Sequence, residues 1–219
     1  MWNWAADLTL KDSAAFDEFL QQVASYVAKG SIRGFENEWI KGLKGRELLK
    51  EWHSFCLSMS DRYAAADPKA RVKWAGPDMS VRSKITARLM ETWAHGQEIY
   101  DLLGVKRVDK DRIKTIAMLG VNTFGWTFVC RGQEVPAQAP YVKLIAPSGD
   151  TWEWNEPSEE NRVEGLASEF CQVVAQVRNI TDTDLKVTGE VATRWMSIAQ
   201  CFAGPPEEPP APGTRFTKT

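Results

Sequence analysis

A chain of 219 residues, 43% hydrophobic and 26% charged with a net charge of −2, is long enough to bury the core of one large domain or two small ones. The near-neutral balance implies no broad attraction to nucleic acid or to an anionic membrane, and no run approaches the roughly 18 apolar residues of a membrane span. The opening "MWNWAADLTLKD" has no basic segment followed by an apolar one, so it is not a signal peptide, and the isolated cysteines Cys56, Cys130, Cys171 and Cys201 suit reduced thiols in a cytoplasm better than a disulfide framework or a zinc–cysteine site.

Taken in chain order, the first elements read as helices. Asp12 or Ser13 can cap a helix through roughly Lys29, with Phe16, Leu20, Val23 and Val27 at helical spacing. A second helix is expected from Gly45 to Ala66, with a stripe of Leu48/Leu49, Trp52, Phe55/Cys56, Met59 and Tyr63. "DPKARVKWAGPDMS" breaks the pattern at Pro68, Gly76 and Pro77. Ser80 then caps a third helix to about Leu103, closed by Gly104. Asp109 or Asp111 opens a fourth, through Ile113, Ile116, Ala117, Gly120, Phe124 and Phe128 to Gly132. Beyond it the period changes. "YVKLIAPSGDTWEW" reads as a hairpin around a Pro-Ser-Gly-Asp turn. Helical spacing returns in "LASEFCQVVAQV" and "GEVATRWMSIAQCFAG", and the Pro-rich end should be extended or disordered. The expected architecture is mainly α: a helical bundle over 1–132, a small α+β domain over 138–204, and a Pro-rich disordered tail over 205–219.

The third helix carries the one arrangement that suggests chemistry. In "RLMETWAHGQEIYDLLG", Glu91 and His95 lie four residues apart, so a carboxylate oxygen and an imidazole nitrogen can reach one point. Leu89, Trp93, Ile99 and Leu102/Leu103 suggest a helix buried on much of its circumference. A carboxylate there needs a partner, and a divalent ion would serve; zinc suits a nitrogen–oxygen set. The same spacing also fits a solvated ion pair or a satisfied core histidine. Glu98 and Asp101, on nearby turns, read either as outer partners of His95 or as helix-surface charges. His53 reads as a flank histidine making a surface hydrogen bond.

"TARLMETWAHGQEIYDLLG", with "WAGPDMS" before it, resembles the third helix of the mycothiol-dependent maleylpyruvate isomerase-like proteins, of the DinB-like four-helix-bundle metalloprotein superfamily. The likeness continues through "VEGLASEFCQVVAQVRNITDTDL" and "RWMSIAQCFAGPP". It implies a DinB-like bundle with Glu91 and His95 as ligands to a divalent metal, usually zinc, and mycothiol as a low-molecular-weight thiol co-substrate. It also implies a second histidine from the first bundle helix. This chain begins inside the segment that follows that histidine, which suggests a first helix missing or partial and coding sequence upstream of Met1. In that case an apolar seam bordered by Met1, Trp2, Trp4 and Leu8 would be open to self-association.

The function that follows is thiol-dependent isomerase or transferase chemistry on a small electrophilic substrate in the cytoplasm. Arg178 and Arg194 could hold a substrate carboxylate, though surface solvation accounts better for each, and Trp93 and Trp126 could wall a pocket, though core packing explains them equally well. The alternatives are a non-catalytic metal- or small-molecule-binding module, and an interaction protein presenting "PPEEPPAP" to a partner.

Overall fold

In the computed structural model, which describes residues 1–74 and 78–215, Asp12 ends one helix and begins the next. Its extended backbone closes α1 (Trp2–Lys11), and its carboxylate accepts from the backbone N–H groups of Ala14 and Ala15, capping α2 (Ser13–Ala28). The sequence pointed to α2 from that cap. It did not reveal α1, which has no side-chain cap and is held by packing: Ala5 and Ala6 are fully buried, and Asp7 binds Lys11 and the Arg62 guanidinium. Next come α3 (Ile32–Trp39) and α4 (Gly45–Ala65). A two-stranded ladder, β1 (Arg71–Val72) with β2 (Met79–Ser80), leads into α5 (Val81–Leu103). Gly76 and Pro77, which the sequence reading placed in the break before α5, lie outside the described residues. Ser80 Oγ accepts from the Ser83 N–H, as expected of a cap, and Gly104 ends the helix at φ +66°.

The chain is mainly α, a helical bundle followed by a small α+β part, and it separates into two units, Met1–Arg88 and Leu89–Thr219. Among the described residues, the first has two apolar clusters. Phe16, Phe19, Val23 and Phe35 pack with Trp2, Trp4 and Leu8, while Ala6, Met59, Tyr63 and Val81 form the other. Only Met59 and Tyr63 of the expected α4 stripe are buried. Leu49 and Trp52 are 60% and 43% exposed, because the first half of α4 borders an apolar groove of about 600 Å³ instead of a packed neighbour. Met1, Trp4, Trp39, Leu48 and Phe55 also line it.

The second unit begins within α5, before the break after Gly132 that the sequence offered as the domain edge. The expected fourth helix is a 3-10 turn (Asp111–Ile113), then α6 (Lys114–Asn122) and α7 (Phe124–Val129), interrupted at Thr123. These helices bury Ile113, Ile116, Ala117 and Phe128 in one core with the sheet and the two helices that follow. The sheet runs β4-β3-β5-β6, with β3 (Tyr141–Ile145), β4 (Thr151–Trp154), β5 (Arg162–Leu166) and β6 (Lys186–Thr188). The β3–β4 hairpin is the expected one, with Leu144 opposite Trp152. Strands β5 and β6 were not foreseen; β5 pairs parallel to β3, with Val142 opposite Val163. Helix α8 (Ala167–Val174) packs on α6, and α9 (Glu190–Ile198) places Trp195 in the core. Gly120 makes the α6–α8 approach possible: a Cβ there would sit 2.8 Å from a Val174 methyl.

The Pro-rich end is extended and fastened to this unit. Glu207 N–H donates to Gln200 Oε1, Asn179 Nδ2 donates to Pro210 O, and Gly213 N–H donates to the Asp182 carboxylate. Among the described residues no helix is long and apolar enough to cross a membrane.

Candidate functional site

The buried edge of α5 in the second unit is Met90, Trp93, Ala94, Gln97 and Asp101, spaced at three and four residues. The carboxylate of that edge is paired inside. Asp101 accepts from Arg178 Nη2 through both oxygens at 2.9 and 3.0 Å, and from Gln97 Nε2 at 2.9 Å. Trp93 Nε1 donates to Asp109 at 2.8 Å, and Arg107 Nη1 donates to Trp93 O at 2.7 Å, which ties the following loop to the helix. These contacts fix the rotation of α5 and so decide what its other edge presents.

That edge carries Glu91, His95 and Glu98. The expected apolar surround is not there: Ile99, Leu102 and Leu103 are 59%, 84% and 68% exposed, and the His95 side chain is 74% exposed. The apolar pattern misled because two polar residues, Gln97 and Asp101, turn inward, Asp101 having read as either an outer partner of His95 or a helix-surface charge. Glu91 is half-buried. Its Oε2 lies 3.5 Å from His95 Nε2, while Glu98 Oε2 lies 3.3 Å from His95 Nδ1, within hydrogen-bond reach. Glu98 Oε1 meets Arg215 Nη1 at 2.5 Å. Burial raises the Glu98 pKa, but hydrogen bonds from Arg215 and His95, with their charges, outweigh it and hold the carboxyl below its usual value.

These side chains rim a cavity of about 330 Å³ within the second unit. Met90, Ala94, Ala175, Val177 and Phe202 give it an apolar wall, and Gln176 and Glu207 a polar one. Gln176 is a left-handed residue (φ +54°) just past α8, and its side-chain amide donates to Ala199 O and Glu207 O. Burial pushes the Cys201 thiol up, with the Glu91 charge adding to it, so Cys201 is a poor nucleophile.

The structure therefore brings Glu91 and His95 together, adds Glu98, and separates Asp101, which faces the interior. Arg178 is neither solvated nor open to a substrate carboxylate: it is buried against Asp101. Arg194 is exposed and donates to Gln133. Trp93 belongs to the core, and Trp126 Nε1 donates to Phe202 O. His53 is exposed on α4, as expected. Gln176, Phe202, Glu207 and Arg215 escaped the sequence reading, since only the fold brings them within reach of α5.

The donor pair suits one edge of a metal site. Two ligands about 2.0–2.1 Å from a tetrahedral zinc are about 3.4 Å apart, close to the Glu91–His95 separation. Among the described residues, no group of three or more His, Cys, Asp or Glu side chains is arranged to hold a metal ion.

A family profile described as the mycothiol maleylpyruvate isomerase N-terminal domain matches residues 2–100, which include Glu91 and His95. Two uncharacterized proteins of Mycobacterium tuberculosis, from strains CDC 1551 / Oshkosh and H37Rv, are each 39% identical over 207 residues, covering 94% of this chain and 80% of theirs. No solved structure matches.

Proposed function

The chain belongs to the mycothiol maleylpyruvate isomerase N-terminal domain family, and on that premise we propose that it binds a divalent metal, most simply zinc, through Glu91 and His95 and serves thiol-dependent isomerase or transferase chemistry on a small electrophilic substrate. The observation that carries this reading is the 3.5 Å approach of Glu91 Oε2 to His95 Nε2 beside the cavity. Were Nε2 to bear a lone pair, it would face a carboxylate oxygen, an arrangement that a cation between them relieves.

In this reading Glu91 supplies charge and His95 Nε2 a neutral nitrogen. The wall of Met90, Val177 and Phe202 excludes water from one side of a bound small molecule. When bound, the metal would lower the pKa of a thiol such as mycothiol, so that a thiolate is available to add to an electrophilic carbon. The four free cysteines accord with a cytoplasmic setting, where thiols stay reduced. Because only two donors converge among the described residues, a second reading has its own support: a metal- or small-molecule-binding module without turnover.

Zinc titration by calorimetry tests the first step, and a thiol-conjugation assay on the zinc-loaded chain separates the two readings. Saturable zinc binding lost in both Glu91→Gln and His95→Ala supports the metal assignment. Conjugation above the metal-free rate supports the enzyme, and binding without it favours the module. Unchanged zinc affinity in both variants overturns the assignment.

A further inference from the structure

His95 has a different carboxylate at each ring nitrogen, and the two contacts are unequal. Glu98 is hydrogen bonded to Nδ1 at 3.3 Å, whereas Glu91 sits opposite Nε2 at 3.5 Å with no hydrogen bond. Glu98 in turn divides its oxygens: Oε2 faces the imidazole, and Oε1 is held by Arg215. Arg215 is 117 residues from Glu98 in the chain and arrives at the end of the extended tail. The tail is delivered there by a series of anchors: Glu207 on Gln200 and Gln176, Pro210 on Asn179, and Gly213 on the Asp182 carboxylate.

We propose that Glu98 is a positioning residue that fixes the tautomer and orientation of His95, and that Arg215 holds Glu98 in place for it. The proposal rests on the metal reading above. With Glu98 as acceptor, Nδ1 carries the proton and Nε2 is left with its lone pair turned toward Glu91. That is the state an imidazole needs in order to ligate a metal, and an acceptor on the distal nitrogen is the usual means of fixing it. Glu98 occupies the position because it lies three residues beyond His95, one turn along the same edge of the helix. Arg215 prevents the Glu98 carboxylate from swinging out to solvent or across to the proposed metal. Helix α5 therefore supplies an ordered row: Glu91 as ligand, His95 as ligand, and Glu98 as the acceptor behind it. The tail closes the row.

The experiment has two arms, both on the full chain. In the metal-free protein, nitrogen NMR of the ring at pH about 8.5, above the ordinary histidine pKa of about 6.5, reads the His95 tautomer directly. His95 should be mainly protonated at Nδ1 in the wild type and shift toward Nε2 protonation in Glu98→Ala; Glu98→Gln, whose amide oxygen still accepts, should keep the Nδ1 form. Cobalt(II) titration, followed by absorption, should show an affinity roughly 10–100-fold weaker in Glu98→Ala. Arg215→Ala should shift both readouts the same way by a smaller amount, with Arg215→Lys restoring much of the loss. If the wild type and Glu98→Ala share one tautomer, the positioning role is wrong whether or not metal binds. If the tautomer shifts but the wild type shows no saturable cobalt binding, the metal reading fails and the proposed purpose fails with it. If cobalt binds and is lost in His95→Ala yet is unaffected in Glu98→Ala, the metal reading survives and the positioning role does not.

Discussion

Lys84→Met should make the chain more stable at neutral pH and less stable at alkaline pH. Lys84 is only 1% exposed. Its Nζ donates to Thr9 Oγ1 at 2.7 Å and to Lys73 O, and lies 4.4 Å from the Trp74 ring centre. Burial lowers its pKa from 10.5 to about 8, with the Asp78 charge opposing and the Arg88 charge adding. The folded pKa lies below the unfolded one, so the unfolded chain binds the proton more readily, and stability rises with pH across this window. The linkage relation gives a cost of about 3 kcal/mol at pH 7, falling to about 1 kcal/mol at pH 10. Methionine removes that cost but leaves the Thr9 hydroxyl and the Lys73 carbonyl without a donor, at about 1 kcal/mol each. The variant should thus be about 1 kcal/mol more stable than wild type at pH 7 and about 1 kcal/mol less stable at pH 10. Urea unfolding of both proteins at the two pH values checks it, since the tyrosines and other alkaline groups titrate in both chains and cancel. A difference that is the same at pH 7 and pH 10 would refute the reasoning.

Other substitutions test the second unit. Gly120→Ala places a methyl 2.8 Å from a buried Val174 methyl and should cost about 1–3 kcal/mol in denaturant unfolding, with much of the loss recovered when Val174→Ala is added. Arg178→Met leaves Asp101 buried beside Gln97 alone and should cost about 3–5 kcal/mol, whereas Arg178→Met with Asp101→Leu should cost less. If Arg178→Met instead leaves stability unchanged, the buried pair is not structural and the residue returns as a candidate substrate anchor.

The helices that carry their own punctuation were legible. Asp12 before α2, Ser80 before α5 and Gly104 after it are local signals, as is the turn between β3 and β4. What failed depends on partners distant in the chain. Helix α1 has no cap and is fixed by Arg62 and Tyr63, more than fifty residues away. Strand β5 has a single fully buried residue, Val163, and its pairing with β3 is parallel, so no turn announces it. The candidate site divides in the same way. Glu91, His95 and Glu98 were visible at helical spacing. Their exposure was misjudged because Asp101 turns inward only when Arg178 arrives to meet it, and Arg215 could not be found without the path of the tail.

The central claim is that Glu91 and His95 hold a divalent metal, and thermal unfolding with and without zinc tests it most directly. At zinc 100 times the dissociation constant, binding to the native chain alone adds about 2.7 kcal/mol of stability. Wild type and His53→Ala should both gain it, and Glu91→Gln and His95→Ala should not. No gain in the wild type, or an equal gain in all four proteins, would contradict the account.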